Sequence, residues 1–115
     1  MSTRLLKHLA DAEAAAGLAL EFIGGLELAE YRASALVRSA VERQVEVVGE
    51  AFRRALNEDE ALRERLPEAA LAVAIRNRIA HGYDSIDDAI VHETVSQRFV
   101  GLRDALRREM AARGG

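Results

Sequence analysis

The chain has 115 residues, of which half are apolar and 30% are charged, with a formal net charge of −3 and no cysteine. This length allows one domain with a single modest core, and the mixture of apolar and charged residues excludes a disordered chain. The lack of cysteine excludes disulfides and thiolate metal sites, and the charge is not that of a strongly basic nucleic-acid-binding chain. We therefore predict a single domain over residues 1–112 with a flexible tail over residues 113–115.

The sequence contains no segment that predicts membrane insertion or export. No apolar run approaches the roughly 18 residues that a membrane-spanning helix needs. The first residues, Met1 to Arg4, lead directly into amphipathic sequence and lack the features of a signal peptide. A chain without cysteine also suits a reducing compartment, so we expect a cytoplasmic protein that does not contact a membrane.

Apolar residues recur at steps of three and four through the first half of the chain, which predicts two amphipathic helices. The first runs from about Thr3 to Ile23 and ends at Gly24, because glycine adopts the left-handed conformation at a helix end at little cost. After a short link at residues 26–31, the second helix extends over residues 33–55. Gln44 interrupts its apolar stripe, and we expect this amide to be hydrogen-bonded in the core or in an interface.

The second half begins with a cap and an acidic turn at residues 57–60, which predict a short helix ending near Leu66. Pro67 fits the first position of the next helix, which continues to His81. Because residues 69–75 are apolar without a break, this helix lies in the centre of the bundle or in a subunit interface.

The last part of the chain is predicted to form a helix that is followed by a final helix after a break. Ser85 and Asp88 have the spacing of a capping pair, and a break is expected near Gly101 before a final helix to about Met110. The inward-facing residues after the cap are predicted to be Ile86, Ala89, Ile90 and Val95. Together the elements predict an all-α fold, an up-and-down bundle of four main helices plus short helices.

Four polar side chains capable of phosphate or proton chemistry lie at the end of the apolar helix: Arg76, Asn77, His81 and Tyr83. Such a local departure from binary patterning is typical of functional sites. Asn77 and His81 are four residues apart and share a helix face. Arg76 and His81 differ by about 140° around one helix. They meet only if the helix end turns His81 back, or if a second subunit brings its own copy close.

The string of Arg76-Asn77, three residues, His81, one residue and Tyr83 resembles the signature of HEPN-domain proteins of the HepT type. These proteins are the toxin halves of HepT/MntA toxin–antitoxin systems. Residues 41–51 resemble the second conserved helix of the family, so that the resemblance covers most of the chain in the right order.

The segments around this string also follow the family, with some departures. Residues 86–87, followed by a helix, match the segment after the tyrosine. The sequence departs from the family in lacking a Pro-Trp pair early in the motif helix and an aromatic residue just after Tyr83. His92 stands where a tryptophan is frequent. These changes concern packing and RNA contact and leave the core motif intact.

The resemblance implies a HEPN-like fold and a homodimeric, metal-independent ribonuclease that needs no cofactor and cuts RNA, with tRNA as one candidate. His81 would act as general base or acid at the ribose 2′-hydroxyl or the leaving oxygen. Arg76 would hold the scissile phosphate, and Asn77 would orient His81 or a phosphate oxygen. An MntA-like nucleotidyltransferase antitoxin would attach AMP to Tyr83, adding bulk and negative charge where RNA phosphates must lie.

Two other interpretations remain open on the sequence alone. The chain could be a catalytically silent helical binding subunit that docks a nucleotidyltransferase, or a purely structural bundle. In the latter His81 caps a helix C-terminus and Tyr83 is an ordinary half-buried ring. Asp84, Asp87 and Asp88 lie near His81, but their spacing fits no standard metal-binding loop, so no metal site is predicted.

Overall fold

The structure, a computed structural model, describes residues 3–80 and 87–114. Within these ranges the chain forms six α-helices and no strand, which confirms the predicted all-α class. The helices are α1 (Thr3–Ile23), α2 (Leu28–Ala33), α3 (Ala35–Glu58), α4 (Leu62–Arg65), α5 (Glu68–Ala80) and α6 (Asp88–Gly114). Of these, α1, α3, α5 and α6 are the four main helices and α2 and α4 are short.

The core lies where α1 packs along α3 on one side and α6 on the other. Leu9, Phe52 and Phe99, one from each of these helices, are fully buried there. The fifth helix packs almost entirely on α3 and contacts α6 only slightly. As a result, α3 is the central helix of the described part of the chain, and α5 has one covered side only.

The boundaries of α1 and α3 follow from capping residues. Gly24 has a φ of 53°, a left-handed conformation that ends α1. The Ser34 hydroxyl accepts a hydrogen bond from the Val37 backbone N–H at 3.1 Å and caps the start of α3. Gln44 is half-buried rather than part of the core. The buried stripe of α3 passes beside Gln44 and includes its neighbours Val41 and Val45.

The predicted link at residues 26–31 contains most of the short helix α2. The Glu30 carboxylate accepts a hydrogen bond from the Glu27 backbone N–H at 3.0 Å, which completes a capping box. Tyr31 is fully buried between α2 and the rest of the bundle. Burying this ring adds tertiary stabilisation to a segment too short to form a helix alone.

The last helix begins later than predicted. The Asp87 carboxylate accepts hydrogen bonds from the backbone N–H groups of Ala89 at 2.9 Å and Ile90 at 3.4 Å, so Asp87 caps α6. Ser85 lies outside the described residues. The prediction that Ile90 faces inward is wrong, because Ile90 is 38% exposed and its neighbour Val91 is buried.

The predicted break near Gly101 is also wrong, because α6 is continuous from Asp88 to Gly114. Phe99 and Leu102 are buried on either side of Gly101. A glycine inside an exposed helix face costs only about 1 kcal/mol relative to alanine. The burial of two large neighbours outweighs that cost, so the helix continues.

The C-terminal end of α6 is held by ion pairs, where the sequence predicted a tail from residue 113. The Arg113 guanidinium lies 2.6 Å from the Asp59 carboxylate and 2.5 Å from that of Glu109. Arg65 of α4 lies 2.8 Å from each of the same two carboxylates. These four side chains join the ends of α3, α4 and α6, and α6 continues to Gly114. The division into a domain over residues 1–112 and a tail stays a prediction.

Among the helices of the described ranges, none is long and apolar enough to cross a lipid bilayer.

Candidate functional site

The site is built where α5 crosses α3 at Gly49. A Cβ atom placed on Gly49 would lie 2.2 Å from Cβ of Arg76 and 2.7 Å from the backbone oxygen of Ala72. Only a glycine allows two backbones to approach this closely. The close approach brings the start of the motif at Arg76 against the middle of α3.

The Arg76 guanidinium is held by two oxygen atoms. Its Nη2 lies 3.1 Å from Oε2 of Glu50, and its Nη1 donates a hydrogen bond to Oδ1 of Asn77 at 3.1 Å. The side chains of Arg76 and Glu50 are only 25% and 24% exposed. The buried Nε–H of Arg76 has no acceptor among the described residues. The guanidinium is therefore fixed in direction, and the second N–H group on each of its two Nη atoms remains as a donor for a further oxygen.

Glu50 is shared among three arginines. Besides Arg76, its carboxylate contacts Nη2 of Arg53 at 2.7 Å and Nε of Arg54 at 3.0 Å. The hydrogen bond from Arg53, strengthened by Arg54 and the charge of Arg76, lowers the pKa of Glu50 to about 2. Three cations around one carboxylate leave two positive charges in excess, so the site attracts anions although the chain as a whole is acidic.

The two first residues of the motif face different grooves. Arg76 lines a groove of about 400 Å³ between α1 and α3, together with His8 and Gln44. Asn77 lines a second groove, of about 280 Å³, formed by the end of α3, α4 and α5. The hydrogen bond between Arg76 and Asn77 thus joins a residue of one lining to a residue of the other. The structure therefore brings these two predicted site residues together at the boundary between two open surfaces.

The other two predicted site residues, His81 and Tyr83, lie outside the described residues. Described helix α5 ends at Ala80, directly before His81. The predicted distance between Arg76 and His81 and the exposure of Tyr83 stay predictions. Within the described ranges, no cluster of three histidine, aspartate or glutamate side chains has the arrangement of a metal site.

Sequence reasoning missed the role of Glu50 and its neighbours. Glu50 looked like one of several charges on the solvent side of α3. Its pairs with Arg53 and Arg54 follow from the spacing of three and four along a helix. Its pair with Arg76 depends on how α5 lies against α3, which a single sequence does not give. Gly49, inside a long helix, was the one local signal of a close backbone approach.

His92 has a packing role at the start of α6. Its ring centroid lies 5.6 Å from that of Tyr31, and its Nε2–H donates to the Leu26 backbone oxygen at 2.7 Å. These two contacts fasten the beginning of α6 to α2 and to the residues before it.

Comparison with known proteins identifies the family. The family described as "Ribonuclease HepT-like" matches residues 12–109, which include α3, the motif and most of α6. Searches of curated proteins and of solved structures gave no match. Since the matched region covers most of the chain and contains Arg76 and Asn77 in the geometry described above, the resemblance seen in the sequence is confirmed. The chain belongs to the HepT-like ribonuclease family.

Proposed function

We propose that the protein is a metal-independent endoribonuclease toxin of a HepT/MntA-type toxin–antitoxin pair. The observation that carries this proposal is the family match over residues 12–109, joined to an arginine fixed in an anion-attracting cluster at the start of the motif. A cytoplasmic location, where the toxin would meet cellular RNA, and tRNA as one of the RNAs cut, are part of the same proposal.

The proposed chemistry uses the RNA's own hydroxyl as the nucleophile. His81 removes the proton from the ribose 2′-oxygen, which attacks the adjacent phosphorus, or protonates the departing 5′-oxygen. Arg76 binds the phosphate oxygens and stabilises the charge that builds on them. Asn77, already bonded to Arg76 through its Oδ1, still has its amide N–H groups to donate to a phosphate oxygen or to His81.

The proposed active form is a homodimer. Helix α5 is covered on one side by α3, and three of the six large apolar side chains that are more than a third exposed in the described residues lie on α1 and α5: Leu18, Phe22 and Leu71. A second copy would bury such side chains and would bring a second motif near the first. This arrangement would also resolve the angular separation of Arg76 and His81 on one helix.

The proposed regulation is AMPylation of Tyr83 by an MntA-like nucleotidyltransferase antitoxin. Each added nucleotide brings negative charge two residues from His81, which opposes the binding of RNA phosphates. A Tyr83→Phe variant should stay toxic when the antitoxin is co-expressed, whereas the wild type is neutralised. Full neutralisation of the variant would refute modification as the main switch.

The experiment that tests the ribonuclease proposal compares variants on total cellular RNA in the presence of a chelator. The wild type should cleave RNA, and His81→Ala and Arg76→Ala should lose cleavage by a factor of 100 or more, on the order of the effect of removing a general acid–base group. Arg107→Ala is the matched control, because Arg107 forms a comparable ion pair, with Glu13, that lies in neither groove.

Each outcome distinguishes the proposal from a silent binding subunit or a structural bundle. Loss of cleavage in the His81 and Arg76 variants with retained thermal stability supports the nuclease. A wild type that leaves RNA intact, or a His81→Ala variant that cleaves as fast as the wild type, refutes it. Abolition of cleavage by the chelator would refute the metal-independent chemistry.

A further inference from the structure

The groove beside Asn77 has an unusual lining for an acidic protein. Among the described residues it is lined by Arg53, Leu56, Asn57, Arg63, Ala70, Val73, Ala74 and Asn77. This set contains two arginines and two asparagine amides and no carboxylate. The lining of the groove between α1 and α3, in contrast, contains three carboxylates and three arginines, so its formal charges cancel. Of the two grooves, the one beside Asn77 is therefore the better match for a polyanion.

The polar groups of this groove are available for a ligand. Arg63 is exposed and forms no ion pair with any residue in the described ranges, although most arginines near it are paired. The amide of Asn57 makes no side-chain hydrogen bond there. Arg53 is paired with Glu50, but that carboxylate is shared among three cations, so its charge is not fully neutralised. An incoming phosphate meets donors without having to displace a carboxylate from Arg63.

The floor of the groove is apolar. Leu56 and Val73 are half-buried, and Ala70 and Ala74 are exposed. An apolar floor with polar groups at its margin is suited to a flat, partly apolar ligand that carries charge at one end. A nucleotide has this character, since its base stacks or packs on apolar surface and its phosphate binds arginine. A volume of about 280 Å³ leaves room for a single unit rather than a folded RNA.

We propose that the groove between α3, α4 and α5 binds the RNA nucleotide adjacent to the scissile phosphate. In this arrangement Arg63 binds the flanking phosphate and the base rests on Leu56 and Val73. The inference rests on the proposed function, because Asn77 joins this groove to Arg76 and hence to the proposed cleavage site. Arg63 and Asn57 would then be substrate-binding residues outside the motif, and the α1–α3 groove would meet the RNA only where Arg76 binds the scissile phosphate.

The first test measures the salt dependence of RNA binding by the intact protein. The probe is a short fluorescent single-stranded RNA carrying 2′-O-methyl groups, which removes the proposed nucleophile and prevents cleavage. Each phosphate contact on a single strand contributes about 0.7 to the slope of log affinity against log salt. Arg63→Ala should therefore lower the slope by about 0.7 and weaken binding about tenfold, and Arg63→Lys should keep the slope.

Arg98→Ala is the matched control, since Arg98 is also exposed and forms no ion pair within the described ranges but lies on α6, away from both grooves. It should keep both the slope and the affinity. Equal losses for Arg63→Ala and Arg98→Ala would show only general attraction to positive charge and would overturn the assigned groove.

The second test places the same carboxylate in each groove. Ala74 lies in the proposed groove and Ala14 in the α1–α3 groove, and both are exposed helical alanines that accept glutamate with little effect on folding. Ala74→Glu should weaken RNA binding tenfold or more, while Ala14→Glu should change it less than about threefold. Light scattering should give the same oligomeric state for both variants, so that the loss of binding reflects the groove.

The outcomes separate this inference from the proposed function. If the wild type cleaves RNA but Ala14→Glu weakens binding more than Ala74→Glu, the nuclease stands and the assigned groove is overturned. If RNA binds with the expected variant effects but is not cleaved, the assigned groove is supported and the catalytic proposal is refuted. Absence of RNA binding by the wild type overturns both.

Discussion

The packing of α5 on α3 predicts a large effect for Gly49→Ala. Non-bonded carbon atoms approach to about 3.5 Å, so a Cβ that starts 2.2 Å from that of Arg76 requires the helices to separate by about 1.3 Å. Overpacking costs about 1–3 kcal/mol, and because the clash includes the Ala72 backbone oxygen at 2.7 Å we take the upper part of that range, about 2–3 kcal/mol. The gain of about 1 kcal/mol in helix propensity offsets only part of it. We expect a net loss of about 1–2 kcal/mol and a Tm about 5–10 °C lower.

The same shift should also lower the rate of RNA cleavage, and by more than the loss of folding free energy alone would cause. It moves the Arg76 guanidinium relative to Glu50 and to the rest of the motif, and a displacement of about 1 Å at a catalytic group costs about 100-fold in rate. Thermal unfolding by circular dichroism and initial cleavage rates on RNA, measured well below the Tm, check the two effects separately.

Gly101→Ala provides the matched control, at an exposed glycine inside α6. No atom lies within 4 Å of a Cβ placed on Gly101, so this variant should gain about 1 kcal/mol from helix propensity alone and keep its cleavage rate. The reasoning is refuted if Gly49→Ala melts at or above the wild-type temperature, or if both glycine variants behave alike.

Three further changes test other contacts. Glu50→Gln should lower the Tm by an amount equivalent to less than about 1 kcal/mol near pH 7. This difference should disappear as the pH falls from about 4.5 toward 2, because the depressed pKa of Glu50 means that its stabilisation is present above the unfolded value and lost on protonation. His92→Phe should cost about 1 kcal/mol in unfolding free energy by removing the donor to the Leu26 carbonyl, and His92→Trp should cost less; chemical denaturation measures both. Arg113→Ala should lower the Tm by a few degrees in low salt and less in high salt, since it removes partly buried ion pairs with Asp59 and Glu109.

The helices that the sequence predicted best are those with a regular apolar stripe and clear caps. The predicted range of α1 agrees with the structure, and that of α3 agrees within a few residues at each end, because local capping and periodic burial decide both. Helix α2 was missed because its stability comes from burying Tyr31 against distant residues. The continuity of α6 through Gly101 was missed for a related reason: tertiary burial of its neighbours outweighs the local helix-breaking tendency of glycine.

The candidate site was predictable only in part. Arg76 and Asn77 were identifiable because adjacent polar residues interrupt an apolar helix, and their hydrogen bond requires no distant partner. Glu50 was not identifiable, since its contact with Arg76 spans 26 positions and depends on the register of two packed helices. The lining of the groove beside Asn77 could not be predicted from the sequence either, because it comes from three separate helices.

The electrostatics of the cluster explain how an arginine can be both held in place and available for RNA. A carboxylate paired with a single arginine would neutralise it and compete with a phosphate for the same donors. Glu50 instead divides its two oxygens among Arg53, Arg54 and Arg76. Each cation is thus oriented while the cluster keeps excess positive charge, and each terminal nitrogen of Arg76 uses one of its two N–H groups and keeps the other. A proposed RNA phosphate would add to an arrangement that is already formed, so that little reorganisation accompanies the build-up of charge in the transition state.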